Sequence, residues 1–175
     1  YYMFQCSDLL KGIAYECIQG SVNVGVSEVV NDSRNVTKDC LFICVIGMNF
    51  DGHSAAAQAA ADGARVLVVS KEVELPAESE ITVIQVEDTR YAMAFIAANF
   101  YGNPAQSMKI IGITGTKGKT TTAYFVKDIL EQAGHQVGLI GTVEAIIGGK
   151  VIPADNTTPE PLVLQRYFKE MKAAG

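Results

Sequence analysis

The most restrictive feature of this sequence is a glycine-rich segment, GITGTKGKTTT, at residues 112–122. The apolar run Lys109–Thr114 leads into it and predicts a buried strand, and a helical pattern of apolar residues follows from about Gly118 to Ala133. A strand, a glycine-rich turn and a helix in this order form the phosphate-binding loop of parallel α/β domains. The strict motif has a glycine five residues before Gly118, where this chain has Ile113. The segment therefore predicts an α/β domain that binds nucleotide phosphates.

The chemistry of this loop explains the prediction. Glycines allow several backbone N–H groups to turn toward one point, and the start of the helix adds about half a positive elementary charge. We expect the Lys119 ammonium to reach the β- and γ-phosphates and act in catalysis, and the Thr120 hydroxyl to ligate Mg²⁺. The predicted ATP-binding residues are Gly115, Thr116, Lys117, Gly118, Lys119, Thr120 and Thr121. A glycine-rich turn that binds nothing is disfavoured by the Gly-Lys-Thr triplet directly after a strand.

Residues before the loop form a separate α/β block, and we predict a first domain at 1–103 and a second at 104–175. Continuous apolar runs predict buried strands, and helical spacing between them predicts helices. The predicted strands are Val22–Val30, Cys40–Ile46, Arg65–Ser70 and Ile81–Val86. The predicted helices are a short one capped by Ser7, one from Ser54 to Asp62 that Gly63 ends, and one from Asp88 or Thr89 that Gly102 and Pro104 stop.

The second block continues with a predicted strand at Gln136–Ile140 and a hairpin that turns at Gly148-Gly149. Thr158 and Pro159 are predicted to open a last helix, with Leu164, Phe168 and Met171 facing inward. The expected fold class is α/β: a small α/β domain followed by the beginning of a P-loop, Rossmann-like parallel-sheet domain. Because one strand–helix–strand unit and one further helix leave such a sheet short, we expect the second domain to be truncated.

Composition limits the partners of the chain. Its 175 residues carry a net charge of −5, which argues against a general nucleic-acid-binding surface. No apolar stretch approaches the roughly 20 residues of a membrane span. The four cysteines lack the paired spacing of metal sites and are predicted to be buried free thiols. We therefore expect a cytoplasmic, monomeric protein without membrane or nucleic-acid partners.

Three separated segments resemble the muramyl ligases. They are Asn31-Asp32-Ser33-Arg34 with the following Gly47–His53, the glycine-rich loop at 112–122, and Asn156-Thr157-Thr158-Pro159-Glu160. The loop is shared by the whole superfamily, and the first segment is shared with the ligase that adds D-Ala-D-Ala (the MurF type). The Asn-Thr-Thr-Pro element resembles the type that adds the third residue to UDP-N-acetylmuramoyl-L-Ala-D-Glu (the MurE type).

This resemblance implies an N-terminal domain that binds the UDP end of the substrate and a central domain that binds ATP. The residues that it implies for UDP-N-acetylmuramoyl-L-Ala-D-Glu are Asn31, Ser33, Met48, Asn49, Phe50, Asn156, Thr157 and Thr158. Structural alternatives remain open at three positions in these segments. Asp32 can form a local turn beside a solvated Arg34, Thr158 can simply cap the last helix, and His53 can fix the turn before the alanine-rich helix.

The implied reaction is ATP-dependent amide formation. In the family, the D-Glu γ-carboxylate becomes an acyl phosphate, and the amine of a diamino acid, meso-diaminopimelate or L-lysine, attacks it. The diamino-acid site is expected in a C-terminal domain beyond Gly175, so this chain alone is expected to be inactive. Two alternatives are a ligase of the MurF type, which Asn156–Pro159 disfavours, and a nucleotide-binding module without catalysis. The family commonly has asparagine where this chain has Lys117, whose side chain we expect to point to solvent.

Overall fold

The computed structural model of the chain describes residues 3–175 and divides into two compact units. The first unit ends at Phe100, and the second is Tyr101–Gly175. The strands of the first unit are β1 (Phe4–Gln5), β2 (Glu16–Gln19), β3 (Gly25–Val26), β4 (Val29–Val30), β5 (Leu41–Ile43), β6 (Val66–Val69) and β7 (Thr82–Gln85). Its helices are α1 (Cys6–Leu9), α2 (Ala56–Ala61) and α3 (Thr89–Phe100).

A five-stranded sheet in the order β2-β7-β6-β5-β4 forms the centre of the first unit. Strands β4, β5, β6 and β7 pair in parallel, and β2 joins the edge in the antiparallel direction. A second, antiparallel sheet contains only β1 and β3. Strands β4, β5 and β6 are fully apolar runs because both faces of a parallel sheet are covered, whereas β7 carries Thr82 and Gln85 at its ends. The predicted α/β fold class, with a parallel sheet, is confirmed.

The core of the first unit lies on this sheet. Phe42, Leu67 and Val69 are at most 1% exposed and pack against the small side chains of α2. Three of the four free cysteines are buried as predicted, whereas the prediction was wrong for Cys17, which is exposed. Burial raises the pKa of the Cys44 thiol to about 12, so this thiol stays protonated and packs as a small apolar group.

Three local predictions for the first unit were wrong. The segment 22–30 forms two two-residue strands, β3 and β4, instead of one. Ser7 lies inside α1, and its backbone N–H donates to the Val22 carbonyl. Ser54 does not cap the alanine-rich helix, because the Asp51 side chain accepts from the His53 N–H and starts a 3-10 turn at Gly52–Ala55 that leads into α2.

Other boundaries agree with the sequence. Gly63, with a φ of 103°, follows the end of α2. The Asp88 carboxylate accepts hydrogen bonds from the N–H groups of Arg90 and Tyr91 and caps α3.

The second unit contains α4 (Lys119–Gln132), β8 (Leu139–Ile140), β9 (Glu144–Ile147), β10 (Lys150–Pro153) and α5 (Pro161–Ala173). Its sheet has the order β10-β9-β8, and both strand pairs are antiparallel, so the prediction of a parallel sheet in this unit was wrong for the described residues. The predicted hairpin is confirmed: β9 and β10 are joined by Gly148 and Gly149, whose φ values of 54° and 83° suit a primed turn. Gly134, with a φ of 86°, follows the end of α4 as predicted.

The remaining boundaries of the second unit differ from the prediction. The segment 109–114 forms no strand, and no other segment of residues 3–175 pairs with it; Ile110 and Ile111 are exposed. The strand predicted at Gln136–Ile140 is reduced to β8. Helix α5 begins at Pro161 rather than at Thr158. The reason is Pro161 itself, since a proline disfavours helical backbone in the preceding residue, and Glu160 has an extended ψ of 151°.

The second unit has few buried residues, and besides Pro104 and Leu139 they form one small cluster. Ala145, Ile147 and Tyr167 are buried, and Ile140 and Met171 pack against them. The predicted inward residues of α5 are only half-buried, and Tyr167 is its one buried residue. No residue of α4 is buried. Across residues 3–175, none of the helices has the length and apolar character required to cross a bilayer.

Candidate functional site

Four parallel strands of the first unit end at the same edge of the sheet, and the loops that follow them carry the predicted substrate residues. Asn31 and Ser33 follow β4, and Met48–Phe50 follow the neighbouring strand β5. The carboxyl edge of a parallel sheet is where α/β domains bind their ligands, because loops from adjacent strands converge there. The structure thus brings two of the predicted segments to one edge.

The loop after β4 is a compact turn organised by Asp32. Its carboxylate accepts from the Arg34 N–H at 3.0 Å and from the Arg34 guanidinium at 2.6–3.2 Å. These contacts lower the pKa of Asp32 to about 2, mainly through the guanidinium hydrogen bonds. The local turn considered from the sequence is therefore present. Asn31 and Ser33, on either side of Asp32, are half-buried and take no part in this ion pair.

The loop after β5 is a small hairpin, which we call the edge hairpin (residues 45–52). Ile46 and Asp51 form an antiparallel bridge, the Gly47 N–H donates to the Phe50 carbonyl at 2.8 Å, and the Gly52 N–H donates to the Val45 carbonyl at 2.9 Å. A Cβ on Gly52 would lie 2.7 Å from the Val45 nitrogen, so only glycine allows this approach.

The tip of the edge hairpin presents apolar side chains to solvent. Met48 is fully exposed, Phe50 is 58% exposed, and Asn49 lies exposed between them. Two large apolar side chains flanking an amide suit a planar, hydrogen-bonding ligand such as a nucleobase, because the amide can donate and accept while the apolar groups cover a ring face.

A polar network supports the base of the edge hairpin. His53 Nδ1 lies 2.7 Å from Asp51 Oδ1, and His53 Nε2 accepts from the Ser70 N–H at 3.0 Å. Because a backbone N–H can only donate, Nε2 is unprotonated and the ring proton is on Nδ1, facing Asp51. Lys71 donates to Asp51 Oδ2. His53 is thus buried between the strand ends, which confirms the interpretation of His53 as the residue that fixes this turn.

The Asp51 carboxylate carries most of this network. The Lys71 ammonium, then the N–H and ring of His53, stabilise its charged form and hold its pKa below the ordinary range. Arg90, at the start of α3, approaches the hairpin from the other side, with Nε and Nη2 each 3.4 Å from the Ile46 carbonyl oxygen. Ser70, Lys71 and Arg90 could not be predicted from the sequence, since each lies far along the chain from the loop it contacts.

In the second unit, the glycine-rich loop leads directly into α4. Gly118 adopts a φ of 79° at the helix start, and Gly115 to Gly118 are exposed. The first hydrogen bond into the helix joins the Thr122 N–H to the Gly118 carbonyl, so the N–H groups of Lys119, Thr120 and Thr121 have no partner within the helix. A Cβ at Gly112 or Gly118 would have no neighbour within 4 Å, so the space beside the loop is open.

The residues of this loop fit a polyphosphate. The Lys119 ammonium folds back over the loop and donates to the Gly115 carbonyl at 2.7 Å, which keeps the cation at the loop. Thr120 is half-buried in the first turn, whereas Thr116, Lys117 and Thr121 are exposed. A helix start, N–H groups without a partner in the helix and a nearby cation are the elements of an anion site.

The third predicted segment, Asn156–Thr158, lies between β10 and α5 in bent, exposed backbone. Because α5 begins three residues after Thr158, the helix-cap role considered for Thr158 was wrong. The side chains of Asn156, Thr157 and Thr158 therefore do not cap the start of α5.

Two family models match the chain. A model of the Mur ligase family, catalytic domain, matches residues 25–101, and a model of the Mur ligase middle domain matches residues 113–175. The chain belongs to the Mur ligase family. The predicted site residues of all three segments described above fall within the matched residues.

Curated relatives in this family are similar along nearly the whole chain. One from Clostridium perfringens, named UDP-N-acetylmuramoyl-L-alanyl-D-glutamate--2,6-diaminopimelate ligase, is 46% identical over 167 residues, which are 95% of this chain and 34% of the relative. Relatives of the same name from Caldanaerobacter subterraneus and Listeria monocytogenes are 46% and 40% identical over 169 residues. The chain spans about a third of the length of these relatives.

Solved structures with a similar fold include other members of the family. A crystal structure of MurF from Acinetobacter baumannii is 26% identical with a TM-score of 0.58, over 98% of this chain and 34% of that one. A structure of a UDP-N-acetylmuramoyl-L-alanyl-D-glutamate--2,6-diaminopimelate ligase has a TM-score of 0.67 at 18% identity and covers 99% of this chain and 34% of that one. This second likeness concerns the fold.

Proposed function

We propose that this chain supplies the uridine-nucleotide and ATP-phosphate sites of a MurE-type, ATP-dependent, ADP-forming ligase of peptidoglycan precursor synthesis. Its substrate would be UDP-N-acetylmuramoyl-L-Ala-D-Glu. The added residue would be 2,6-diaminopimelate, the diamino acid in the names of the relatives from Clostridium, Caldanaerobacter and Listeria. The observation that carries this proposal is the convergence of Asn31, Ser33 and the tip of the edge hairpin at the carboxyl edge of one parallel sheet.

The proposed nucleotide-sugar site uses the first unit for the UDP end of the substrate. Met48 and Phe50 would cover the faces of the uracil ring, and Asn49 would hydrogen-bond its polar edge. The Ser33 hydroxyl and the Asn31 amide, which Asp32 and Arg34 leave available, would bind the diphosphate or ribose oxygens. Asn156, Thr157 and Thr158 would contact the sugar and dipeptide, for which their exposed amide and hydroxyl groups are suited.

The proposed ATP site is the loop Gly115–Thr121. ATP would supply the phosphoryl group that activates the D-Glu carboxylate, which by itself is a poor electrophile. The ammonium of Lys119 would exchange the Gly115 carbonyl for phosphate oxygens and offset their charge. The free N–H groups at the start of α4 would orient the same oxygens, and the Thr120 hydroxyl would ligate Mg²⁺. Lys117, on the exposed part of the loop, would remain in solvent.

Calorimetric titration of the chain with UDP-N-acetylmuramoyl-L-Ala-D-Glu tests this proposal. We expect binding that Asn49→Ala and Ser33→Ala each weaken about 5- to 20-fold, since each removes a hydrogen bond to a charged or buried ligand group. Asn23→Ala, an exposed asparagine away from the carboxyl edge, is the matched control and should bind as the wild type. Absence of binding by the wild type, or equal losses in the control, would contradict the assignment.

The same titration separates the MurE type from the MurF type. The sugar-dipeptide substrate should bind better than the corresponding tripeptide, which is the product of one reaction and the substrate of the other. A clear preference for the tripeptide would favour the D-Ala-D-Ala-adding ligase.

A further inference from the structure

We propose that Lys71 is a positioning residue of the nucleotide site: through Asp51, it holds the edge hairpin in the orientation that presents Met48, Asn49 and Phe50 to the ligand. The effect on ligand binding rests on the function proposed above. The effect on the hairpin itself is independent of any ligand.

The contacts of Asp51 define the mechanism. Asp51 closes the hairpin through its backbone bridge to Ile46, and its side chain faces the end of the neighbouring strand β6. There Oδ2 accepts from the Lys71 ammonium, and Oδ1 accepts from the N–H and the ring of His53. His53 is itself bonded to the Ser70 N–H, directly before Lys71. The hairpin that rises from β5 is thus tied to the end of β6.

The hairpin strand opposite Asp51, which contains Ile46, is held more weakly. The guanidinium of Arg90 reaches the Ile46 carbonyl only at 3.4 Å, the long limit for a hydrogen bond. The contacts of Asp51 are shorter, and all of them use its charged carboxylate, so they are the stronger attachment. Since Met48 is fully exposed and has no packing of its own, the orientation of the tip depends on how firmly the base is held.

An ordinary surface ion pair is the competing interpretation. The Lys71 side chain is 53% exposed, and such pairs usually contribute little to global stability. The two interpretations differ in where the effect of a substitution is felt. A simple surface pair changes nothing at the hairpin, whereas a positioning residue increases local opening of the hairpin without unfolding the unit.

The variants Lys71→Met and Lys71→Arg test the proposal. Methionine keeps the length of the side chain and removes its charge, and arginine restores the pair with Asp51. Lys11→Met is the matched control, because Lys11 forms an exposed ion pair with Asp8 at 2.7 Å in the same unit, away from the hairpin. Three quantities are measured for each variant: the thermal midpoint, the Kd for UDP, and the hydrogen-exchange rates of the Gly47 and Gly52 amides.

We expect Lys71→Met to speed exchange of the Gly47 and Gly52 amides and to weaken UDP binding, each about 5-fold, with a thermal midpoint within about 3 °C of the wild type. Lys71→Arg should restore both values, and Lys11→Met should leave both unchanged. Unchanged glycine exchange in Lys71→Met would overturn the proposal, and so would faster exchange without a loss of UDP affinity.

The same measurements show separately whether the proposed nucleotide site is wrong. If the wild type does not bind UDP, the nucleotide-site assignment falls, but glycine exchange in Lys71→Met still decides whether Lys71 holds the hairpin.

Discussion

The two units differ in how their binding elements are supported. In the first unit the turn at Asp32 and the edge hairpin follow β4 and β5, whose side chains are at most 8% exposed. In the second unit the glycine-rich loop leads into a helix that has no buried residue, and Phe125 and Ile129 of that helix are 63% and 67% exposed. The first site is therefore held by the core of its own unit, whereas the second is organised mainly by local backbone.

This contrast matters for function because preorganised groups bind with a smaller loss of conformational entropy. A loop on a packed parallel sheet keeps its shape before the ligand arrives. A loop whose helix is only half-packed can adjust to the ligand. The Lys119 ammonium, for example, would have to leave the Gly115 carbonyl in order to bind a phosphate.

The largest expected difference between the units is in how much stability a phenylalanine-to-alanine substitution removes. Phe42→Ala should lower the free energy of unfolding of the first unit by about 3–5 kcal/mol, because it empties a fully buried site. Phe125→Ala, on the exposed face of α4, should change stability by about 0.5 kcal/mol or less. Urea denaturation of both variants measures this. Equal losses would show that α4 is packed in solution, and the contrast would then be lost.

The next effect concerns the independence of the two sites. Lys119→Ala should weaken binding of MgADP about 10- to 100-fold, since hydrogen bonds to charged groups contribute roughly 1.5–3 kcal/mol. Affinity for UDP should stay within a few fold. Calorimetry with each nucleotide separates the effects, and Lys127→Ala, on the same helix but paired with Glu131, is the matched control. A parallel loss of UDP affinity would mean that the two sites are assigned incorrectly.

A smaller effect is expected at the hairpin turn of the second unit. Gly149→Ala should lower the free energy of unfolding by about 1 kcal/mol, because alanine is strained at a φ of 83° while no neighbouring atom opposes its Cβ. Gly149→Asn should recover much of this loss, since asparagine tolerates positive φ. Thermal denaturation compares the two. An alanine variant as stable as the asparagine variant would indicate that the turn is not held in solution.

The smallest effect is in the pH dependence of the two units. Asp32 and Asp51 have lowered pKa values when folded, so the stability that they provide is present above about pH 4; as the pH falls, the contribution of Asp32 is lost toward pH 2 and that of Asp51 at still lower pH. In the second unit the hydrogen bond to Glu144 raises the pKa of Tyr124, so its contribution is present below about pH 10 and is lost above it.

Stability curves from pH 2 to 11 for Asp32→Asn and Tyr124→Phe measure these contributions. The stability of Asp32→Asn should depend less on pH than that of the wild type at the acidic end only, and the stability of Tyr124→Phe at the alkaline end only. If Asp32→Asn retains the full acid response of the wild type, the Asp32–Arg34 pair does not contribute to it.

Local signals predicted much of the fold. The buried strands β5, β6 and β7 follow from continuous apolar runs, and the β9–β10 turn follows from two consecutive glycines. The helix starts were less predictable, because two signals competed at close spacing. Asp51, not Ser54, caps the turn that leads into α2. Helix α5 begins at Pro161, not after Thr158.

Long-range pairing could not be predicted. The run 109–114 has the composition of a buried strand, but a strand needs a neighbouring backbone, and none pairs with it within residues 3–175. The sequence predicted the two segments that the structure brings to the carboxyl edge, at Ser33 and at Met48–Phe50. It did not reveal Lys71, which is 20 residues from Asp51 and lies in a polar stretch of no particular pattern.

The close approach of Gly52 to Val45 fixes where the edge hairpin can close. A side chain at position 52 would collide with backbone, so the closing pair cannot shift along the chain without loss of the hairpin. Insertions or deletions between Ile46 and Asp51 would then change only how far the tip projects. In related chains, the length of this short segment could vary the reach toward a ligand while the sheet beneath it keeps the same register.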